Sequence, residues 1–166
     1  MLPIFAKDIL RVGPTGLGLL QASPAIGALA MTWFLAHYPL ERRVGRSLFV
    51  SVAVFGVGTI LFAHSTSFWF SITMLVTLGA ADCISVVIRQ SLVQLETPDD
   101  MRGRVSAVNS VFIGASNQLG EFESGTAAAL IGTVPSVVAG GIGTLLIVAL
   151  WLRIFPSLAA RDRLSV

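Results

Sequence analysis

Charged residues are scarce in this sequence: Asp, Glu, Lys and Arg make up 12% of its 166 residues, whereas apolar residues make up 54%. The mean hydropathy is +0.83. Because soluble domains carry about 25% charged residues, this composition excludes an ordinary soluble protein. The net charge of +2 is small, and the arginines stand in short clusters between apolar runs, which argues against nucleic-acid binding. We therefore predict an all-α, multi-pass membrane protein whose environment is the lipid bilayer.

Residues for catalysis and metal binding are also lacking. The single cysteine, Cys83, lies in an apolar segment, so no disulfide can form within the chain, and we expect a small buried side chain there. No Ser/His/Asp arrangement, Gly-rich phosphate loop or metal-ligand spacing occurs at a credible site. The histidines, His37 and His64, lie near predicted helix ends, where an interfacial histidine is ordinary. We predict no enzymatic activity, no cofactor and no metal.

Five apolar segments are long enough to cross a hydrocarbon core, which takes about 20 helical residues. A short apolar stub precedes them, from Met1 to Ala6; it lacks the basic flank and apolar core of a signal peptide, and we interpret it as the end of a sixth helix. We assign residues 1–155 to a membrane domain and residues 156–166 to a cytoplasmic tail. The predicted spans run from Leu17 to about His37, from Ser47 to about Ala63, from Phe68 to about Leu95, from about Val105 to Ile131, and from Val137 to about Ile154.

The basic residues predict the orientation of these spans. Lys7 and Arg11 fall on one side of the membrane, and a larger group falls on the other. Basic residues accumulate on the cytoplasmic side of membrane proteins. We therefore predict a protein of the cell membrane with its C-terminus in the cytoplasm. The cytoplasmic group comprises Arg42, Arg43, Arg46, Arg102, Arg104, Arg153, Arg161 and Arg163.

Polar side chains concentrate in the third and fourth spans. An ionisable group inside a membrane helix costs about 2.5 to 3.5 kcal/mol on insertion scales and therefore indicates a functional site. In the third span Asp82 and Arg89 are seven residues apart, so they share a helix face but lie about 10.5 Å apart along the axis. Asn117 on the fourth span lies at about the depth of Asp82, so we expect a polar contact between the two helices there. A polar or small stripe that includes Asn117 can line an aqueous cavity. It comprises Ser110, Gly114, Asn117, Glu121, Ser124 and Ala128.

Two interpretations of these groups remain open. In one, Asp82, Arg89, Glu121 and Glu123 form structural pairs between helices. In the other, at least one carboxylate changes protonation as the protein changes conformation, and Arg89 binds a substrate or a carboxylate. Glu123 lies on a different helix face from the Asn117 stripe, so we regard it as a structural or coupling residue. Asp82, Arg89, Asn117, Gln118 and Glu121 are the candidates for a substrate or proton pathway.

Close helix contacts and a helix start are also predicted. Ser23 and Gly27 in the first span, and Gly56 and Gly58 in the second, are small enough for a neighbouring helix to approach closely. A ridge of Ser116, Gly120, Ser124 and Ala128 on the fourth span has the same property. The segment from Thr97 to Asp100 predicts an N-cap at Thr97 with proline at the first helical position.

Three segments carry a resemblance to a known family: Arg43-Val44-Gly45-Arg46, Thr97-Pro98-Asp99-Asp100-Met101-Arg102-Gly103-Arg104-Val105, and Asn117-Gln118-Leu119-Gly120-Glu121-Phe122-Glu123-Ser124-Gly125. The last two are fairly specific in combination. The chain resembles the C-terminal half of a major facilitator superfamily transporter, in the bacterial efflux branch that includes enterobactin-exporter-like proteins. The likeness covers essentially the whole sequence.

The resemblance implies that the stub ends transmembrane helix 7 and that the five spans are helices 8 to 12, with helices 7, 8, 10 and 11 around a central cavity. It also implies a cytoplasmic conformational motif formed by Arg43, Gly45, Arg46, Arg102, Gly103 and Arg104. Two positions depart from the family pattern: Arg42 replaces the usual Asp of the motif, and Tyr38 replaces its leading Gly.

The implied function is secondary transport, with protons driving export of a small molecule by alternating access. Such transporters place the substrate between two six-helix halves, so we expect this chain to need a separate N-terminal half. The alternative is a truncated membrane protein that does not transport, or an interaction subunit.

Overall fold

A computed structural model describes residues 2–38 and 44–155, and all regular structure in these residues is helical, as predicted. The predicted tail, Arg42 and Arg43 lie outside the described residues. Six α-helices follow in chain order, with a π-helical turn at Phe5–Ile9 between the first two. They are α1 (Leu2–Ile4), α2 (Pro14–His37), α3 (Val44–Ala63), α4 (Phe68–Glu96), α5 (Arg102–Ile131) and α6 (Thr133–Ile154).

Four of the described helices are long and apolar enough to cross a membrane, namely α2, α3, α4 and α6. The remaining predicted span, the fourth in chain order, corresponds to α5. With 30 residues α5 is about 45 Å long, so its length suffices. Its polar side chains give it a lower hydropathy than the other four long helices.

A crossing of two backbones joins α2 to α4. A Cβ atom added at Gly27 would lie 1.9 Å from the carbonyl oxygen of Val76, and one at Gly79 would lie 2.0 Å from that of Pro24. Both positions therefore accept only glycine while the helices stay this close. The predicted contact at Ser23 and Gly27 is confirmed, and both residues are buried in α2.

Glycines also bring α3 against two neighbouring helices. A Cβ at Gly56 would lie 3.2 Å from the carbonyl oxygen of Gly141 in α6, and one at Gly58 would lie 3.0 Å from the Leu78 side chain in α4. The predicted packing role of Gly56 and Gly58 is thus confirmed. Helix α3 consequently lies between α4 and α6 and packs on both, while α2 packs on α4.

The N-terminal stub is packed into one end of this bundle. Phe5 is 1% exposed and stacks on Phe62 with ring centroids 4.5 Å apart. Leu20 of α2 and Leu75 of α4 belong to the same buried cluster. The stub is therefore a packed part of the helical bundle and anchors it at the end predicted to face outward.

The connection between α4 and α5 differs from the prediction. Thr97 does not cap α5: it ends α4, and its hydroxyl donates back to the carbonyl of Val93. A turn closed by the Met101 amide and the Pro98 carbonyl follows, and α5 begins only at Arg102. Because a threonine hydroxyl bonds equally well to the carbonyl four residues before it, the capping pattern could not distinguish the end of one helix from the start of the next.

Candidate functional site

Helix α4 places three polar side chains on one face at its middle. Asp82, Ser85 and Arg89 follow each other at spacings of three and four residues and line one cleft of about 230 Å³. Ser51 of α3 and Thr144 of α6 complete its polar lining. The predicted shared face of Asp82 and Arg89 is therefore present. Ser85 is a member that the sequence interpretation missed, although its spacing from Asp82 and Arg89 already indicated it.

The charges in this cleft are not joined directly. The Nε atom of Arg89 donates to the carbonyl oxygen of Ser85, one turn earlier, at 3.3 Å. Among the described residues no carboxylate lies within ion-pairing distance of Arg89, which agrees with its separation from Asp82 along the helix. Both side chains are exposed. The cleft thus offers one carboxyl group and one guanidinium group to a molecule or helix that covers it.

Helix α5 carries the other candidates on surfaces that the chain leaves uncovered. Asn117, Gln118, Glu121 and Glu123 are all exposed. No residue of α5 is buried, and its large apolar side chains are open as well, with Phe122 74% exposed. The helix packs on α6, and its first turns come close to Val93 of α4. These features describe a helix that lacks a partner on most of its circumference within the described residues.

The two sets of polar residues are not brought together. No residue of α5 lines the cleft of Asp82 and Arg89, so the predicted contact across helices at the depth of Asp82 is absent from the described structure. The predicted small-residue ridge on α5 is also uncovered. A Cβ at Gly120 would meet no atom within 4 Å. Helices α4 and α5 therefore carry two separate polar surfaces, one in a cleft on α4 and one on the uncovered α5.

The residues of the expected cytoplasmic motif have different surroundings. Gly45 is buried at the start of α3, whereas Arg46 is exposed and lines a second cleft between α2, α3 and α4. Arg104 is exposed, and a Cβ at Gly103 would meet no atom within 4 Å. The described residues of this motif thus share no common contact, and their motif role stays a prediction.

Arg102 has a structural role that the sequence interpretation missed. Its Nε atom donates to the carbonyl oxygens of Gln94 at 3.1 Å and Thr97 at 3.3 Å, and its Nη1 lies 2.8 Å from Oδ1 of Asp99. The last carbonyls of a helix have no partner within the helix. Arg102 therefore caps the end of α4 and holds the turn that leads into α5.

A contact at the α2 and α4 crossing was also missed. The Oγ1 atom of Thr32 lies 3.3 Å from Sγ of Cys83, and Oγ1 also donates to the carbonyl of Ala28 in its own helix. Cys83 is partly buried there. No group of three or more His, Cys, Asp or Glu side chains in the described ranges is placed to hold a metal ion.

Comparison with known proteins gives one match. The major facilitator family described as "Transmembrane secretion effector" matches residues 1–165, which is nearly the whole chain. No curated protein and no solved structure matches. The match supports the resemblance at the level of the superfamily, while the enterobactin-exporter-like branch stays a prediction.

Proposed function

We propose that this chain, which belongs to the transmembrane secretion effector family of the major facilitator superfamily, forms the C-terminal half of a secondary transporter. In this proposal the transporter exports a small molecule by alternating access, driven by protons. Family membership makes the chain a transporter-type membrane protein. The observation that favours a transport role for these residues is that the polar face of α5 stays open while the apolar helices pack together.

The uncovered α5 supports the need for a second half. A membrane helix that exposes Asn117, Gln118 and Glu121 directly to lipid tails is unfavourable, because polar groups in hydrocarbon lack partners. We propose that α5 also crosses the membrane, as the fourth span in chain order, and that its polar stripe faces an aqueous cavity shared with an N-terminal half. In this proposal the cleft of Asp82 and Arg89 adds a carboxyl group and a guanidinium group to the same pathway.

Proton coupling is assigned to the carboxylates of this pathway. We propose Asp82 and Glu121 as the groups that exchange protons, and Arg89 as the partner of a carboxylate or of the substrate. Glu123, on another face of α5, serves structure or coupling. A protonated carboxylate would be cheaper to move across a closed, dry pathway than a charged one, which links protonation to the change of conformation.

Transport by the complete protein in inside-out vesicles tests this assignment. Mass spectrometry would identify the small molecules that accumulate when a pH gradient is imposed, and the same molecules would then be measured for Asp82→Asn, Glu121→Gln and Glu123→Gln. We expect Asp82→Asn or Glu121→Gln to abolish accumulation driven by the pH gradient while downhill exchange continues. If all three variants retain full accumulation driven by the gradient, these acids are not the coupling groups.

A second experiment tests the need for a partner half. The chain would be expressed alone and together with a separately encoded N-terminal half, and protease sensitivity of α5 would be followed. We expect co-expression to protect α5 and to permit transport. Rapid degradation that the second half does not prevent would favour a truncated protein that does not transport.

The orientation has its own test. We propose a cell-membrane protein whose C-terminus lies in the cytoplasm, with the arginine-rich connections on the same side. Single cysteines introduced at the exposed residues Thr66 and Asp100, in a Cys83→Ala background, would be labelled with a membrane-impermeant reagent. Labelling of intact cells at residue 66 and not at residue 100 is expected, and the opposite pattern would reverse the proposed topology.

A further inference from the structure

A second cleft lies between α2, α3 and α4, beside the cleft of Asp82, with which it shares Ser51 and Ala81 at the edge. Its volume is about 550 Å³, more than twice that of the cleft at Asp82. Its walls are largely apolar and come from all three helices, and Arg46 stands at one end. The apolar lining includes Met31, Val50, Val54, Ala80 and Ile84.

This cleft opens away from the charged face of α4. Ala80 and Ile84 are each two residues from Asp82, so each is turned by about 200° from it around the helix. A surface of α4 that is apolar and turned away from the polar cleft is expected to face lipid. The second cleft is therefore a groove on the lipid-facing side of the bundle.

Arg46 is the charged residue that lines this groove, and it lies at the end of the groove nearest the predicted cytoplasmic interface. It lies two residues after the start of α3, is exposed, and is among the residues that line the groove. In the described part of the chain no carboxylate forms an ion pair with it. From Arg46 to Val54 the groove extends about 12 Å along α3, inward from the predicted cytoplasmic interface. A positive group thus lies at headgroup level, above an apolar channel at the level of the acyl chains.

We propose that this groove binds an anionic phospholipid, whose phosphate pairs with Arg46 while one acyl chain lies between α2 and α3 across α4. A guanidinium binds phosphate oxygens through two parallel hydrogen bonds, which makes arginine well suited to this role. Basic pockets between membrane helices on the cytoplasmic side are known to hold anionic headgroups. The positive end of α3, where Arg46 lies, adds to the attraction.

Lipid photocrosslinking tests the proposal. The chain would be inserted into phosphatidylcholine vesicles that contain a small fraction of photoactivatable phosphatidylglycerol or, in parallel, photoactivatable phosphatidylcholine. Mass spectrometry would quantify crosslinks to peptides of α2, α3 and α4 around the groove. Because one arginine near the surface favours an anionic lipid by a factor of roughly five, we expect about that preference for phosphatidylglycerol in the groove peptides.

Four variants make the result specific. Arg46→Gln should remove the preference, and Arg46→Lys should restore part of it. Arg153→Gln, which removes an exposed arginine from the last turn of α6 on the same predicted side, should leave it unchanged. Ala80→Phe, which fills the groove, should lower crosslinking there by both lipids.

Two outcomes would overturn the proposal. Equal crosslinking by the two lipids in the unmodified chain would show that the groove does not select an anionic headgroup. An equal loss of preference in Arg153→Gln and Arg46→Gln would show a general attraction of the basic surface for anionic lipid, without a site in the groove.

Discussion

Helices α4 and α5 are the two longest helices of the described structure, with 29 and 30 residues, yet they are packed in opposite ways. Seven residues of α4 are buried, including Gly79 at its crossing with α2 and Ile88, which is 0% exposed. No residue of α5 is buried. The two helices follow each other in the chain, yet α4 holds this bundle together, whereas α5 leaves its side chains uncovered within the described residues.

The distribution of small residues explains how two similar helices diverge. Both contain glycine, but Gly79 of α4 and Gly27 of α2 each lie against the backbone of the other helix, so the two backbones meet. A Cβ atom added at any glycine of α5 would meet no atom of another described element within 4 Å. A small-residue pattern therefore indicates the capacity for close contact, and the location of a partner decides whether the contact forms.

We expect the largest loss of stability from a substitution that separates α2 from α4 at their crossing. Gly27→Leu would place side-chain atoms where the Val76 carbonyl now lies, so the helices must separate. We expect a loss of at least about 3 kcal/mol in the free energy of unfolding, measured by denaturant titration in mixed micelles. The matched control is Gly120→Leu on α5, where no atom lies within 4 Å; an equal loss there would contradict the difference between the two helices.

A smaller loss of stability is expected when a large apolar side chain is truncated, and this loss should differ between α4 and α5. Ile88→Ala in α4 removes a fully buried side chain, and we expect it to destabilise the chain by about 2 kcal/mol. Leu119→Ala in α5 removes a side chain that is 67% exposed and should change the unfolding free energy by less than about 0.5 kcal/mol. Adding an N-terminal half should make Leu119→Ala costly if α5 docks against that half. A cost for Leu119→Ala in the isolated chain would contradict its uncovered state.

The fold was largely predictable because it rests on patterns that are local in sequence. Apolar runs gave the positions of the helices, and Gly27, Gly56 and Gly58 marked contacts that the structure contains. The start of α5 was misplaced, because Thr97 can bond forward as an N-cap or backward to the Val93 carbonyl with similar chemistry. The hydrophobic pattern alone cannot choose between these two bonds.

The candidate site was predictable only in part. The shared face of Asp82 and Arg89 follows from helical periodicity, and the structure contains it. The relation of α5 to that face depends on tertiary packing, which the spacing of Asn117 and Glu121 does not contain. The contacts of Arg102 with Gln94 and Thr97 span five to eight residues across a turn, beyond the reach of any helical repeat.

We expect a loss of about 1 kcal/mol in unfolding free energy when Arg102, in the connection between α4 and α5, is truncated. Arg102→Ala would free the carbonyls of Gln94 and Thr97 and remove the pair with Asp99. Because the Arg102 side chain is 50% exposed and that of Asp99 is 87% exposed, solvent screening limits the cost to about 1 kcal/mol. In Arg102→Ala the backbone amides of residues 97–101 should exchange hydrogen for deuterium faster than in the unmodified chain. Arg104→Ala serves as the control, and equal quickening in both variants would contradict a capping role for Arg102.

We expect the smallest loss of stability when the polar contact between Thr32 and Cys83, at the crossing of α2 and α4, is removed. Thr32 and Thr59 each donate to the carbonyl four residues earlier, at 2.8 Å, but only Thr32 also reaches a side chain on another helix, the Sγ atom of Cys83 at 3.3 Å. Thr32→Val should therefore cost about 0.6 kcal/mol more than Thr59→Val, the size typical of polar contacts between membrane helices. A double-mutant cycle with Cys83→Ala isolates this contact from the bond within α2. A coupling energy of zero would mean that this polar contact adds nothing to the packing of α2 on α4, and the contrast with α5 would then rest on the glycine crossing and the apolar cluster.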